Sequence, residues 1–384
     1  MGNKVGIVAV AQTKYEERKM ERESELVWEV VQKVLEKTGL AFAEDGTGID
    51  ATVTCSQDFW SGRTLSNVQV TRACGGHLRP EVKVAGDGAL ACFYAAMQIL
   101  SGQYDTVLVV AHTKESQTMK NIIDNAAFDP IYQRLLGLDF TSAAALQANR
   151  YMQKYAITPE QCAKVVVKNR RNAKRNPCAQ APLDLTVNEV LSSEIVCYPL
   201  RKLDCKPCSD GACALVLARE DKARRLTSKP VWIRGVASCY DAYYLGDKDL
   251  ADCQSLIEAA QRAYKMAGIT NPRREIDLAE VSEEYSYQEL LWTEGLGFCD
   301  RGEGGKLIDS GATALSGQLP VNPSGGLLSG RPVNVAGLAA IAEAVLQLRE
   351  EAGARQVEEA RTAVAHGVGG PCGQLHCVFV LGRD

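Results

Sequence analysis

The stretch "KVAGDGALACFYAAM", Lys83 to Met97, sets an aspartate between two glycines where a β-like run, Glu81 to Val84, meets an apolar helical pattern. A turn of this kind presents a reactive group, or a phosphate, to the amide dipoles of a helix start. The turn holds no serine or cysteine, so its polar side chain is Asp87. That carboxylate either caps the helix or points into a pocket and orients a substrate hydroxyl. Glycine-rich segments crowd the second half: "GEGGKLIDSGAT", "LPVNPSGGLLSGRPVNVAG" and "HGVGGPCGQ". Many glycines let backbone amides approach a ligand closely. "CKPC", Cys205 to Cys208, is the one close cysteine pair. A zinc site takes about four ligands, and no second pair stands at matching spacing, so no metal is expected. The basic run "KNRRNAKRNP", Lys168 to Pro177, reads as a solvated helix face or as a cradle for phosphates.

The 384 residues, 46% hydrophobic and 23% charged, suit roughly two domains at ~150 residues each. A formal charge of −4 gives neither nucleic acid nor an anionic membrane a reason to bind. The apolar run in "MGNKVGIVAVAQTKY" is too short for a signal peptide or a membrane span. Its Met-Gly start has Gly6 where a myristoylation signal needs serine or threonine. The fourteen cysteines lie scattered through apolar segments, a pattern of reduced, buried thiols, and a cytoplasmic protein is expected.

Strand-like and helix-like segments alternate along the chain: Val5 to Val10, "SELVWEVVQKVLEKTGL", "IDATVTCS", the opening stretch, then "YDTVLVVAHT". Apolar residues recur at three and four in the helices and run together in the strands, which predicts an α/β protein with helices on both faces of a buried sheet. The order then repeats. "GIVAVAQTKY" at Gly6 is answered by "GVASCYDAYY" at Gly235, and the helix ending at Gly39 by one ending at Gly268; both glycine pairs are 229 positions apart. "IDATVTCSQDF" matches "IDLAEVSEEYS", the helix after Gly88 matches "AGLAAIAEAVLQL", and "TVLVVAH" ending at His112 matches "TAVAH" ending at His366. The chain therefore reads as two copies of one unit, the first carrying an insertion at about 114–205 before its last strand, "GACALVLA".

Duplicated α/β halves, the insertion, "SDGACALVLA" at Ser209, "VNPSGGLLSGRPVNVAG" at Val321 and "HGVGGPCG" at His366 resemble the thiolase superfamily, in particular its sterol-carrier-protein-like and archaeal branch. The resemblance implies a thiolase fold: two pseudo-twofold-related αβαβα halves in layers, residues 1–228 and 229–384, with the inserted loop region in the first. It implies a homodimer, an acyl-CoA substrate with coenzyme A as a substrate moiety rather than a permanent cofactor, and a carbon–carbon bond made or broken beside the thioester. Gly88, Ser324, Gly325, Gly326 and Gly370 then fall on loops that line the pocket, and the basic run falls where the insertion covers the CoA phosphates.

Carried over position by position, the family's machinery is altered. The nucleophilic cysteine of a C-A-S-G-like motif falls on Ala85. The H-D-C-F-like motif falls on Ser282, Glu283, Glu284 and Tyr285, and the G-H-P-x-G motif puts Arg331 for its histidine and Asn334 for its second glycine. The histidine of the H-N-x-G loop is kept as His366. Acyl transfer through an enzyme thioester needs a thiolate at an oxyanion hole, which alanine cannot supply. Cys92 lies about two turns into the helix, a core position. Cys372, in a glycine-rich loop, is the candidate thiol. Glu284 is the candidate acid/base, with Tyr285 and Tyr287 as alternative proton donors, because a carboxyl in an apolar pocket titrates nearer neutrality. Arg331 is expected to pair with a substrate carboxylate or with Glu284.

Three functions follow. Retro-aldol cleavage of a β-hydroxyacyl-CoA needs a base and an oxyanion hole but no nucleophile, and the missing cysteine favours it. The first alternative is Claisen or thiolytic acyl transfer on a bulky aryl or dicarboxylic β-ketoacyl-CoA. The second is a non-catalytic acyl-CoA-binding subunit. Cysteine-free thiolase-like aldolases work with a zinc-ribbon and OB-fold partner, so the resemblance implies such a partner here too.

Overall fold

The computed structural model describes residues 4–43 and 47–384; Met1 and Gly2, weighed above as a myristoylation start, lie outside the described residues. Strand β1 (Val5–Gln12) is buried at every position, as an unbroken apolar run must be when both faces of its sheet are covered. It is followed by β2 (Ala51–Cys55), β3 (Glu81–Val84), β4 (Thr106–Lys114), the short hairpin β5 (Ile195–Cys197) and β6 (Leu200–Arg201), β7 (Asp210–Arg219), β8 (Val231–Tyr240), β9 (Leu278–Glu280), β10 (Thr362–Gly369) and β11 (Leu375–Gly382).

Nine of these strands run in the order β3-β2-β4-β7-β1-β8-β11-β10-β9. Outward from the contact of β1 with β8, the two sides correspond. β1 answers β8, β7 answers β11, β4 answers β10, and β2 answers β9; beyond β9, where β3 has no strand to match it, Val321 bridges Ala279 in parallel. The pairing sense corresponds as well: β2 with β4 and β9 with β10 are parallel, whereas β4 with β7 and β10 with β11 are antiparallel. The seam between the halves is narrow, Gly6 opposite Trp232 and Ile7 opposite Val231.

Alternation along the strands assigns the layers. Val107 and Val109 join an inner core with the helices Gly88–Leu100 and Ala336–Leu348, while Leu108 and Val110 join an outer core with the helix Glu23–Thr38. In the second half Ala363, Ala365 and Phe379 face inward, and Val364, Val378 and Val380 face the outer helix Gln254–Ala267. The two inner helices pack on each other and on strands of both halves. Helix 336–348 is buried on almost every side, the pattern of an internal helix. Gly88 makes the crossing possible: a Cβ there would stand 2.6 Å from the Leu338 Cβ. Among the described residues no helix is long and apolar enough to cross a membrane.

Between β4 and β7 the inserted segment folds into the helices Phe140–Tyr155 and Pro159–Ala173 and the small hairpin. Asp139 and Thr158 each cap a helix start in a reciprocal box, with Ser142 and Gln161 as the answering side chains. Helix 159–173 lies against the helices Ser286–Gly295 and Gly304–Asp309 of the other half. The basic run is therefore divided. Lys168 pairs with Glu289 at 2.7 Å and donates to the Val321 carbonyl at 2.6 Å, and Arg170 is buried. Only Arg171, Lys174 and Arg175 face solvent. As a phosphate cradle the run is thus reduced to its exposed half, because an amphipathic helix cannot offer both faces to one ligand.

Replacing Gly88 with alanine is expected to destabilise the fold by about 1–3 kcal/mol, the range for overpacking a full core, measured by urea unfolding. A variant as stable as the parent would show that the inner helices can separate.

Candidate active site

At the C-terminal end of β3 and the N-termini of both inner helices lies a cavity of about 160 Å³. The first half contributes Gln57, Trp60 and Gly86, and the insertion contributes Ala127 and Phe140. The second half supplies Glu284, Gln288, Val333 and, from one loop, Val368 to Pro371 with Gly373 and Gln374. Glu284 is the one carboxyl among these residues.

Its neighbours fix its direction. Gln288, in the first turn of helix 286–295, accepts from the Glu284 N–H at 2.9 Å and the Tyr285 N–H at 3.3 Å. The Lys206 N–H donates to the Glu284 carbonyl at 2.8 Å. The backbone is thus pinned on both sides. The carboxylate makes no hydrogen bond among the described residues and lines the cavity. Burial raises its pKa; Lys206 and Lys120 pull it down, and Asp124 and Glu115 push it up again.

Glu283 points the opposite way, as adjacent residues of extended chain do. Its carboxylate and that of Glu289 share two amide donors: Asn169 reaches Glu283 at 2.9 Å and Glu289 at 2.8 Å, and Asn322 lies 2.9 Å from each. These bonds tie helix 159–173 of the insertion to helix 286–295 and to the segment, between β9 and that helix, that carries Glu284.

The residues singled out from the sequence separate here. Gly370, with φ of 72°, lines the cavity beside Gly86, with φ of 119°; side chains rarely adopt such backbone. Asp87 is the cap: it accepts from the Ala89 N–H at 2.8 Å and from the Gly337 N–H, at the start of the other inner helix, at 2.9 Å. Gly88 approaches the second inner helix rather than the cavity.

Other expectations are corrected. Arg331 pairs with Glu280 at 3.3 Å and with the Ser324 hydroxyl, not with Glu284, because a buried guanidinium must find a buried carboxylate. Ser324 donates twice to Glu280. Added Cβ atoms would stand 2.9 Å from Ala173 at Gly325 and 2.1 Å from Glu283 at Gly326, so these glycines serve packing under the insertion. The Asn334 carbonyl abuts Gly88, while its neighbour Val333 reaches the cavity. Ser282 donates to the His366 carbonyl at 2.7 Å, and its amide meets His366 Nδ1 at 3.4 Å. His366 stacks on His376, with 2.8 Å between Nε2 and Nδ1, and burial pushes its pKa down to about 3. Neither imidazole is among the residues that line the cavity. The Cys372 thiol packs with Phe128, Ala143 and Leu245, and burial pushes it up to about 12. Cys92 is in the inner core. The Tyr285 hydroxyl faces that of Thr141 at 3.1 Å, and the Tyr287 hydroxyl donates to Gln147 at 2.8 Å.

Sequence reasoning missed Gln57, Trp60, Phe140, Gln288 and Gln374. The internal repeat held a signal for the first: aligning Ile49 with Ile276 sets Gln57 opposite Glu284, and the two line one cavity.

The chain is 35% identical, over 96% of its length and 97% of the relative's, to an "Acetyl-CoA acetyltransferase" of Methanothermobacter thermautotrophicus. It belongs to the thiolase superfamily. The family described as "Thiolase C-terminal domain-like" matches residues 237–383. "Benzoylsuccinyl-CoA thiolase subunit BbsB" of Thauera aromatica is 31% identical over 74% of each chain. Among solved structures, "Ltp2-ChsH2(DUF35) aldolase" superposes with a TM-score of 0.84 at 25% identity, covering 99% of this chain and 98% of that one. The chain is also 32% identical to "Sterol carrier protein 2" of Bos taurus over 73% of its length and 55% of that protein's, and the protein is thus a thiolase-superfamily enzyme, of a family that uses CoA thioesters.

Burial and the adjacent Glu289 carboxyl push Glu283 up to about 8, against about 4.3 in an unfolded chain. A carboxyl raised by folding contributes stability that is complete below the unfolded value and lost as pH climbs through the folded one. Glu283→Gln, neutral throughout, is therefore expected to lose less Tm than the parent between pH 5 and pH 8. Equal slopes would show that Glu283 is ionised across that range.

Proposed function

We propose that this thiolase-superfamily enzyme cleaves a β-hydroxyacyl-CoA by retro-aldol chemistry, with Glu284 as its acid/base. The observation that carries the reading is the cavity wall: a carboxyl with no hydrogen-bond partner among the described residues faces it, and none of the residues that line it carries a thiol. Ala85 stands where the family's nucleophile would be, and the Cys372 thiol is packed into an apolar cluster.

The step balances without a nucleophile or a redox partner. The Glu284 carboxylate removes the proton of the β-hydroxyl, the bond between the α and β carbons breaks, and its electron pair passes to the α carbon and thioester oxygen as an enolate. The β carbon leaves as a carbonyl. The proton on Glu284 then returns to the α carbon, giving the shortened acyl-CoA. The amides of the Gly86 and Gly370 turns are the proposed donors to the enolate oxygen, where fixed dipoles count most because water is excluded. A carboxyl whose pKa is raised suits this exchange, since it can both take and return a proton near neutral pH. Likeness to the Ltp2-ChsH2(DUF35) aldolase supports a zinc-ribbon and OB-fold partner, which we propose here together with a homodimer and a cytoplasmic location.

The test offers the chain, alone and with such a partner, a β-hydroxyacyl-CoA, and separately a β-ketoacyl-CoA with free CoA, and follows products by mass spectrometry. Turnover of the hydroxy substrate alone is expected, rising on the acidic side through a midpoint above the usual carboxylate range. Glu284→Gln should lower kcat by about 100-fold or more, and Cys372→Ala should leave it unchanged. An acyl group trapped on Cys372, or full activity in Glu284→Gln, overturns the mechanism. Product from the keto substrate establishes acyl transfer instead, and tight CoA binding without turnover leaves a binding subunit.

A further inference from the structure

We propose that Lys120, on the inserted segment, is a functional residue of this site that acts through Glu284, setting the pH at which that carboxyl releases its proton. The proposal rests on the reading of Glu284 as acid/base.

Lys120 opens a short helix, Lys120–Ala126. Its ammonium lies 5.5 Å from the Trp60 ring and 5.4 Å from the Phe140 ring. Both rings line the cavity that Glu284 faces. A cation over two aromatic rings is attracted by both quadrupoles, here with its side chain 38% exposed. The insertion thus sets a positive charge against two rings of the cavity wall.

The hydrogen bonding separates this cation from the other one nearby. Lys206 is held by both oxygens of Glu115, at 2.8 and 2.9 Å, and by the Pro207 carbonyl at 3.4 Å. Lys120 has one acceptor among the described residues, an oxygen of Asp124 one turn along the helix. The other Asp124 oxygen is buried and has no hydrogen-bond partner among the described residues. Lys120 therefore keeps donor capacity beside the two rings, whereas Lys206 is committed to Glu115.

The groups that act electrostatically on Glu284, or feel it, come from every side. They are Lys120 and Asp124 of the insertion, Glu115 and Lys206 at its two ends, Asp87 at the inner helix, Tyr285 and Tyr287 in its own segment, and Cys372 in the glycine loop. Of these, the cations favour the Glu284 carboxylate and the carboxylates oppose it. Lys120 and Asp124 are one helical turn apart and opposite in sign, so each can be neutralised without disturbing the other's backbone.

The test needs no substrate. Protein carrying glutamate labelled with carbon-13 at the side-chain carboxyl is titrated by NMR, and the Glu284 resonance is assigned by its absence from Glu284→Gln. In Lys120→Met the midpoint should rise by about one pH unit, in Asp124→Asn it should fall by a similar amount, and in Lys120→Arg it should stay at the parent value. Loss of structure moves no carboxyl in two opposite directions, so the pair of shifts separates tuning from a structural role. Should Lys120→Met fail to fold, Asp124→Asn and Lys120→Arg still decide the matter. Unmoved midpoints overturn the proposal even where Glu284→Gln abolishes turnover; an active Glu284→Gln removes the parent reading while leaving the titration to stand or fall by itself.

Discussion

One buried carboxylate joins the two halves at the place where everything else is built. Asp87 accepts hydrogen bonds from the first turns of both inner helices, Ala89 N–H at 2.8 Å and Gly337 N–H at 2.9 Å. Added Cβ atoms at Gly337 and Gly367 would stand 1.9 and 2.1 Å from its oxygen. Two helix starts that point at one spot would otherwise leave unpaired donors and two positive dipole ends together in the core. Burial drives the Asp87 carboxyl up to about 7 while these amides pull it down. The carboxylate holds in register the turns that bring Gly86, Val333 and Val368 to the same cavity.

From that junction outward, charge is sorted by direction. Arg331 and Ser324 satisfy Glu280, Asn169 and Asn322 hold the Glu283 and Glu289 pair, and Lys206 neutralises Glu115. These groups are sealed from the cavity, and their role is to clamp the insertion and the C-terminal loops together. Glu284 alone of this acidic set is left facing open space. An unpaired carboxyl is unfavourable to fold around, and sites of that kind tend to be where chemistry is done.

Much of the fold was legible in the sequence because its repeat has a simple physical basis. Strands covered on both faces must be continuously apolar, so β1, β4, β7 and β10 announce themselves, and equal offsets between glycine pairs mark equivalent helix ends. The site was legible in part. The turn at Gly86 and the loop of Gly370 were found because glycine-rich segments stand out along the chain, and the segment of Glu284 through the family motif that falls on it. The errors at Arg331, His366 and Cys372 share one cause. A motif position says which loop a residue occupies, and not whether its side chain points to the cavity or turns back into the core.

By itself the sequence determined the α/β class, the two repeated halves, the inserted segment and the absence of a thiol in the turn before helix 88–100. Those properties are local or periodic, set by residue type and spacing along the chain. Only the tertiary structure decided that Asp87 spans both helix starts, that Arg331 answers Glu280, and that Trp60 and Phe140, far apart in sequence, share the wall that Glu284 faces, with Lys120 set over both rings. The reason is that the direction of a side chain, and the charge that meets it, are settled by packing between segments that no spacing along the chain connects.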